Sequence, residues 1–366
     1  METNPLPLEL SIRTGVNQRL ESENSSNNQG HSNSSNISGP EREDDYAALL
    51  KAVRSGDAEQ EHIVEELVNM ISEHDLAMLN EGGTALHWTT ISGNRRMAEC
   101  LIRKNKNVLS IRNCRNELPV SLALGFGHTE LARYLYSQTP IHDLEEDQGC
   151  HGASLLNRCF YNGDLDMALD LMKRCPSLAF ALDHQSPHVY PLEVLAYNST
   201  NAFELSGKGM VFWKQWIYNH CIHVSLDRAV DQFRLNIQNL GEEKNIGSGF
   251  KRLYEMKLEQ AQFRQLMILM CQESQRNRHD RNIITRAVIG AIKRGNFEFV
   301  CHIVKANPDV LMWADVDERK SIFHWVILYR QHRIFSLICN SKKKNALLNS
   351  IDKSDNIILH MAGKVI

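Results

Sequence analysis

The sequence has no apolar run long enough to cross a membrane, because a helical span needs about 18 to 20 successive apolar residues; one of its longest runs is 265–271. Its nine cysteines include no C-x-x-C pair, which argues against a disulfide framework or a zinc ribbon and favours a reducing compartment. The net charge of −3 differs from the excess of positive charge that is typical of a dedicated nucleic-acid binder. We therefore expect a soluble, cytoplasmic chain without a nucleic-acid partner.

Motifs of common catalytic and cofactor sites are also missing. The sequence contains no G-x-x-x-x-G-K-[ST], G-x-G-x-x-G, H-E-x-x-H or G-x-S-x-G. The pairs Cys150-His151 and Cys221-Ile-His223 contain ligand-type residues, but neither has a second pair at zinc spacing. We predict no catalytic residue, no metal site and no cofactor, and we do not expect an enzyme.

Residues 1–43 differ in composition from the rest of the chain. Serine and asparagine dominate the stretch 21–38. Such a segment cannot bury enough apolar surface to offset the entropy lost on ordering. We predict a disordered tail over 1–43.

From residue 44 onward a pattern recurs about every 35 residues, a period typical of repeat proteins. An apolar residue is followed three positions later by a small residue and seven positions later by glycine. The clear copies are Leu49/Ala52/Gly56, Leu86/Thr89/Gly93, Val120/Ala123/Gly127, Leu156/Cys159/Gly163 and Val288/Ala291/Gly295. Weaker copies are Leu192/Leu195/Ser199, Phe323/Val326/Arg330 and the incomplete Leu359/Ala362.

This spacing has a structural interpretation. The apolar and small residues lie on one face of a short helix, where the small side chain lets a neighbouring helix approach. The glycine falls just past the helix end, where a left-handed conformation costs it little. A second amphipathic segment follows each glycine, and polar clusters such as 112–116 and 315–320 separate the units. Each unit is therefore predicted to be helix, turn, helix and projecting loop.

These units resemble ankyrin repeats. Thr84-Ala-Leu-His87 is similar to the T-P-L-H motif of that family, and Leu118-Pro-Val-Ser121 keeps its proline. Looser copies are Ser321-Ile-Phe-His324 and Ile357-Ile-Leu-His360. The resemblance implies an all-α ankyrin-repeat solenoid, with helix-turn-helix repeats and projecting hairpin loops. It also implies that the motif histidines bond the neighbouring hydroxyl and backbone. The residues assigned to the structural motif are Thr84, Leu86, His87, Gly93, Pro119, Gly127, Gly163, Gly295, His324 and His360.

The step from Leu192 to Val288 exceeds two repeat lengths, so we expect a helical insertion to interrupt the solenoid. The predicted domains are an array of about five units at 44–222, a helical insertion or linker at 223–284, and two further units plus a truncated last one at 285–366. Within the interruption, 212–218 is predicted as the second helix of unit five, 238–250 as a loop and 251–275 as a helix. The basic stretch 276–294 is interpreted as a solvated helix face and linker, or as a contact for acidic lipid headgroups or an acidic partner.

Four segments are similar to plant ankyrin-repeat membrane proteins, whose repeats are followed by a membrane-spanning Pro-Gly-Gly (PGG) domain: 207–223, 251–258, 304–311 and 352–364. The resemblance implies stress or defence signalling, with full-length relatives at the cytosolic face of the plasma membrane. No segment here resembles the PGG domain itself. We expect the last unit to have only its first helix, and the array from Ile322 onward to fray unless a C-terminal part covers it.

A stacked array offers a long concave surface of loop tips and first-helix residues. The candidate protein-binding residues on it are Glu81, Trp88, Arg112, Arg115, Asn116, Asp317, Glu318 and Arg319. Trp88 is equally consistent with packing against the next repeat, and each charged tip with solubility alone. We hypothesise a non-enzymatic protein–protein interaction scaffold. The alternative is the cytoplasmic portion of a multi-span membrane protein with a channel- or transporter-like role.

Overall fold

The computed structural model describes residues 40–186, 189–204, 248–276, 280–340 and 344–364, and one compact unit covers Asp44–Ile366. Apart from three isolated β-bridges, the regular structure in these ranges is helical. The helices are α1 (Pro40–Ser55), α2 (Glu61–Met70), α3 (Glu73–Leu76), α4 (Ala85–Ser92), α5 (Arg95–Lys104), α6 (Pro119–Gly125), α7 (Thr129–Gln138), α8 (Ile141–Asn162), α9 (Leu165–Arg174), α10 (Pro191–Glu204), α11 (Ser248–Arg276), α12 (Arg281–Arg294), α13 (Phe297–Ala306), α14 (Ile322–Leu328), α15 (His332–Cys339), α16 (Lys344–Leu348) and α17 (Ile358–Gly363).

The helices are arranged in two rows. The first helices of successive units, α1, α4, α6, α8, α10, α12, α14 and α17, form an inner row. From α4 onward each of them packs against the next. The second helices, α2, α5, α7, α9, α11, α13 and α15, form an outer row, and one apolar core runs between the rows. The described residues therefore form seven full units and the first helix of an eighth.

In units two, four and six, a two-residue junction ends the inner helix and begins the outer one. Gly93 has φ 79°, a left-handed conformation that costs glycine little. The next residue, Asn94, accepts the backbone N–H of Met97 and so caps α5. Asp164 and Asn296 cap α9 and α13 in the same way. The cap glycines with positive φ are Gly56, Gly93, Gly127, Gly163 and Gly295.

The other motif positions are buried at the start of inner helices. Leu86 is almost completely buried in α4. Pro119 is the first residue of α6, where its missing N–H has no helical partner to lose. In unit seven the cap position holds Arg330, which adopts φ 53° without being glycine.

The interruption differs from the expected linker. Helix α11 packs against α9, α10 and α13, the contacts of an outer helix in unit five. Leu266, Met267 and Met270 on it are fully buried. Gln262 bonds to Asp166 on α9. Because α10 packs directly on α12, the inner row is continuous across this region. The helix predicted at 251–275 is present as α11, and its contacts make it the second helix of unit five instead of a separate insertion or linker.

Several predicted segments fall wholly or partly outside the described residues. These are the tail up to residue 39, the helix predicted at 212–218 and the first part of the loop predicted at 238–250; residues 248–250 already belong to α11. Of the basic stretch 276–294, the described residues 281–294 form α12, the inner helix of unit six, so this part is not a linker. At the other end, α17 packs against α14 and buries Met361. The predicted fraying from Ile322 stays a prediction.

Candidate binding surface

A projecting loop, here called a finger loop, connects successive units; the finger loops considered are 80–83, 112–117, 315–320 and 352–356. An acidic or amide side chain at the loop base organises the turn. Asp315 accepts the backbone N–H of Glu318 at 2.6 Å and that of Lys320 at 3.1 Å. The non-glycine residues with left-handed φ from 50° to 59° in these loops are Glu81, Asn116, Arg319 and Asp355.

Neighbouring finger loops are bonded to one another. The Cys114 backbone N–H donates to the Gly82 carbonyl at 2.8 Å, and that of Lys353 donates to the Glu318 carbonyl at 2.9 Å. These backbone bonds fix the spacing of adjacent tips. Side chains on adjacent tips are therefore held at a fixed spacing of one repeat unit. This spacing favours binding, because little conformational entropy is lost when a partner binds.

The structure exposes most predicted tip residues. Glu81 and Arg115 are exposed, as are Asp317, Glu318 and Arg319. Arg112 and Asn116 are half-buried, so their prediction as exposed tips is wrong. Arg112 donates to Glu146 and Asp147, each at 2.6 Å. It joins unit three to unit four instead of projecting into solvent.

Trp88 is also partly covered. The Arg54 guanidinium lies 4.0 Å from the centre of the Trp88 ring, and Arg54 also pairs with Glu81. The indole N–H is buried and has no partner among the described residues. The structure thus packs Trp88 beneath an arginine of the preceding unit and against the apolar core.

The motif histidines make bonds within the scaffold. His87 Nδ1 lies 2.9 Å from the Thr84 hydroxyl, and Nε2 lies 3.2 Å from the Glu117 carbonyl of the next finger loop. Burial lowers the pKa of His87 to about 4, although the bond to Glu117 opposes the shift. His324 repeats this arrangement with Ser321. His360 accepts the backbone N–H of Ile357, a residue without a hydroxyl.

A row of exposed or partly exposed side chains precedes the cap positions of the inner helices. Phe126, Tyr161 and Tyr197 are 38%, 49% and 50% exposed. Since α6, α8, α10, α12 and α14 pack consecutively, equivalent positions on them lie side by side. We call the following residues the inner-face stripe: Phe126, Tyr161, Tyr197, Lys293, Arg294 and Tyr329. The sequence prediction missed them, although each lies one or two positions before a cap position.

The cations of the stripe lie over aromatic rings. Arg294 is 3.7 Å from the ring centre of Tyr197, and Lys293 is 4.7 Å from that of Trp325 and 5.9 Å from that of Tyr329. Both cations are exposed, and within the described residues neither forms an ion pair. A ring holds a cation in place while leaving its positive charge uncompensated.

Ankyrin-type stacking of paired helices with projecting loops defines an all-α solenoid. Residues 49–146 match the family model for ankyrin repeats, in three copies. The chain thus contains ankyrin repeats, which mediate binding to other proteins and are typically non-enzymatic. The match does not include the four segments predicted to be similar to plant PGG proteins, so that similarity stays a prediction. No curated protein matches the chain. Among the described helices, none has the length and apolarity that a membrane span requires.

Proposed function

We propose that this chain is a non-enzymatic scaffold that binds an acidic segment of a partner protein along the C-terminal half of its inner-face stripe. The main support is the pair Lys293 and Arg294. Both side chains are exposed, lie over aromatic rings and have no acidic partner among the described residues.

The contacts around these cations suit protein recognition. Tyr197 and Tyr329 provide rigid amphipathic surface beside them, and tyrosine and arginine are enriched in binding hot spots. The rings restrict the positions of Lys293 and Arg294 before a partner arrives, which reduces the entropy lost on binding. Uncompensated positive charge attracts carboxylates over a distance of about 8 to 10 Å at ordinary salt. An acidic, partly aromatic segment is the complementary ligand.

Charge reversal tests the proposal. Tagged wild-type chain and the double variant Lys293→Glu/Arg294→Glu would be used to purify partners from a plant extract, with quantitative mass spectrometry. We expect at least about tenfold lower recovery of specific partners with the variant, equivalent to about 1.4 kcal/mol of binding free energy. Recovered partners should contain acidic segments and dissociate as salt is raised.

A matched control reverses two exposed cations that lie outside the stripe. Lys106→Glu/Arg252→Glu changes the net charge equally at exposed positions. It should retain every partner, and circular dichroism should report the same helix content for all three proteins. Equal recovery with both double variants, or loss with both, contradicts the proposal.

The proposed cellular setting is plant stress or defence signalling on the cytoplasmic side of the plasma membrane. Its support is the similarity of the four segments, including 207–223 and 352–364, to plant PGG proteins. The alternative role is that of the cytoplasmic portion of a multi-span membrane protein with channel- or transporter-like activity. Fractionation of plant cells separates them: extraction of the native protein by alkaline carbonate favours a scaffold without its own span, and retention in membranes favours the alternative.

A further inference from the structure

A kink in α8 brings three ligand-type side chains together. Asp147, Gln148 and Gly149 have successive left-handed φ values of 50°, 60° and 78° before helical geometry resumes. The reversal brings Asp147 close to Cys150 and His151 at the start of the resumed helix. One carboxylate oxygen, the Cys150 Sγ and one His151 ring nitrogen lie within 4.8 Å of one another.

His151 has an unsatisfied buried nitrogen in this cluster. The residue is 3% exposed, and its Nε2 has no hydrogen-bond partner among the described residues. The nearest acidic oxygen, Asp147 Oδ2, is 3.5 Å away, which is too long for a normal N–H···O bond. Leaving a buried polar atom without a partner costs about 1 to 3 kcal/mol. A ligand that takes the lone pair of this nitrogen would remove that cost.

We propose that Asp147, Cys150 and His151 bind a divalent transition-metal ion, for which Zn²⁺ is the best match. One thiolate, one imidazole and one carboxylate are all ligand types that Zn²⁺ accepts, whereas Mg²⁺ and Ca²⁺ prefer oxygen alone. Three protein ligands leave a fourth position for water or a partner side chain. Asp147 is exposed and Cys150 half-exposed, so an ion reaches the cluster from solvent. The inference is independent of the proposed acidic partner.

Arg112 competes with the metal for Asp147. Its Nη1 donates to Asp147 Oδ2 at 2.6 Å, while Nη2 donates to Glu146 at 2.6 Å. A metal bound to the same carboxylate must share it with the guanidinium or displace it, and the two cations repel each other. Removal of Arg112 should therefore strengthen metal binding, which an adventitious site elsewhere on the chain would not show.

The test uses the full chain without an affinity tag, stripped with a chelator and kept reduced. Titration with Co²⁺ followed by displacement with Zn²⁺ reports thiolate ligation through the ultraviolet cobalt–sulfur band. We expect one bound ion per chain with that band. Cys150→Ser should abolish the band, and His151→Ala should weaken binding at least about tenfold, the lower limit for lost metal-site partners. Arg112→Gln should tighten binding severalfold.

The control is Cys114→Ser, which removes an exposed thiol from the neighbouring finger loop and should change nothing. Asp147→Asn keeps the size of its side chain and tests the third ligand if His151→Ala fails to fold. Absence of saturable binding overturns the proposal. So does binding that is equal in the wild type, Cys150→Ser and Asp147→Asn, since this would show an adventitious ion only.

Discussion

In units one to four, most arginines pair with carboxylates, including those that also lie over aromatic rings. In units five to seven, several cations lie over rings without an acidic partner among the described residues. Arg158 donates to the buried Glu117 at 2.6 Å, and Arg133 donates to the buried Asp164 at 2.9 Å. In the later units, Lys293 and Arg294 have rings instead of acidic partners among the described residues. Exceptions are the ion pairs Arg264–Glu298, Arg276–Glu273, Arg286–Glu193 and Lys320–Glu318.

The difference separates two uses of positive charge. A buried ion pair neutralises both charges, so its main effect is on folding, and removal of one partner leaves the other buried and uncompensated. A ring orders the cation but does not neutralise it. We infer that the early units use arginine chiefly to join repeats, and the later units use lysine and arginine to attract a partner.

The largest expected effect is on Arg158. Its guanidinium bonds Glu117 and the Ser121 carbonyl across a unit boundary. Arg158→Ala should lower the free energy of unfolding by about 3 kcal/mol, because Glu117 is left buried without a counter-charge. Arg294→Ala removes only a cation–π contact and should cost at most about 1 kcal/mol. Urea denaturation followed by circular dichroism measures both, and equal losses would contradict the comparison.

The second largest expected effect is a loss of folding stability at acidic pH. Burial lowers the pKa of His87 to about 4, so below pH 6.5 the unfolded state takes up a proton that the folded state does not. Stability is therefore lost as pH falls from about 6.5 toward 4, by about 2 kcal/mol between pH 7 and 5. The free energy of unfolding of His87→Gln should fall by about 2 kcal/mol less than that of the wild type between pH 7 and 5. An identical pH dependence in wild type and variant would contradict the assignment of a neutral buried imidazole.

The smallest effect concerns the cap of unit seven. Arg330 adopts φ 53° where other units have glycine, so Arg330→Gly should stabilise the chain by about 0.5 to 1 kcal/mol. Its long contacts to the Ala362 and Lys364 carbonyls, both at 3.5 Å, offset little of this gain. The melting temperature should rise.

A matched substitution isolates the backbone cost. Gly127 has φ 81°, and a Cβ placed there would meet no atom within 4 Å. Gly127→Ala should therefore destabilise by about 1 kcal/mol without a steric contribution. If Arg330→Gly lowers the melting temperature as Gly127→Ala does, the left-handed cap of unit seven is not a source of strain.

The repeats were predictable from sequence because their signals are local. The spacing of Leu86, Thr89 and Gly93 lies within one helix and its cap, and the hydroxyl–histidine bond of His87 spans three residues. Such short-range patterns depend little on the rest of the chain. The all-α ankyrin-repeat solenoid followed from these patterns.

The interruption was not predictable in the same way. The three-point pattern marks inner helices alone, so only the contacts of helix α11 with α9 and α13 identify it as the outer helix of unit five. The sequence does not reveal that Arg112 is an inter-unit contact, because its partners, Glu146 and Asp147, lie a whole repeat away in sequence. Tyr197 and Arg294 are nearly a hundred residues apart, so the stripe emerges only when α10 packs on α12.

We propose that the later units, not the earlier ones, bind a partner through uncompensated cations. Calorimetric titration of the acidic segment of a recovered partner tests it directly, with the wild type, Lys293→Glu/Arg294→Glu and Arg54→Glu/Arg115→Glu. We predict that the first double variant weakens binding at least about tenfold and that the second stays within about twofold of the wild type, since tenfold corresponds to about 1.4 kcal/mol. Tenfold weakening by Arg54→Glu/Arg115→Glu, with unchanged affinity in Lys293→Glu/Arg294→Glu, would contradict the claim.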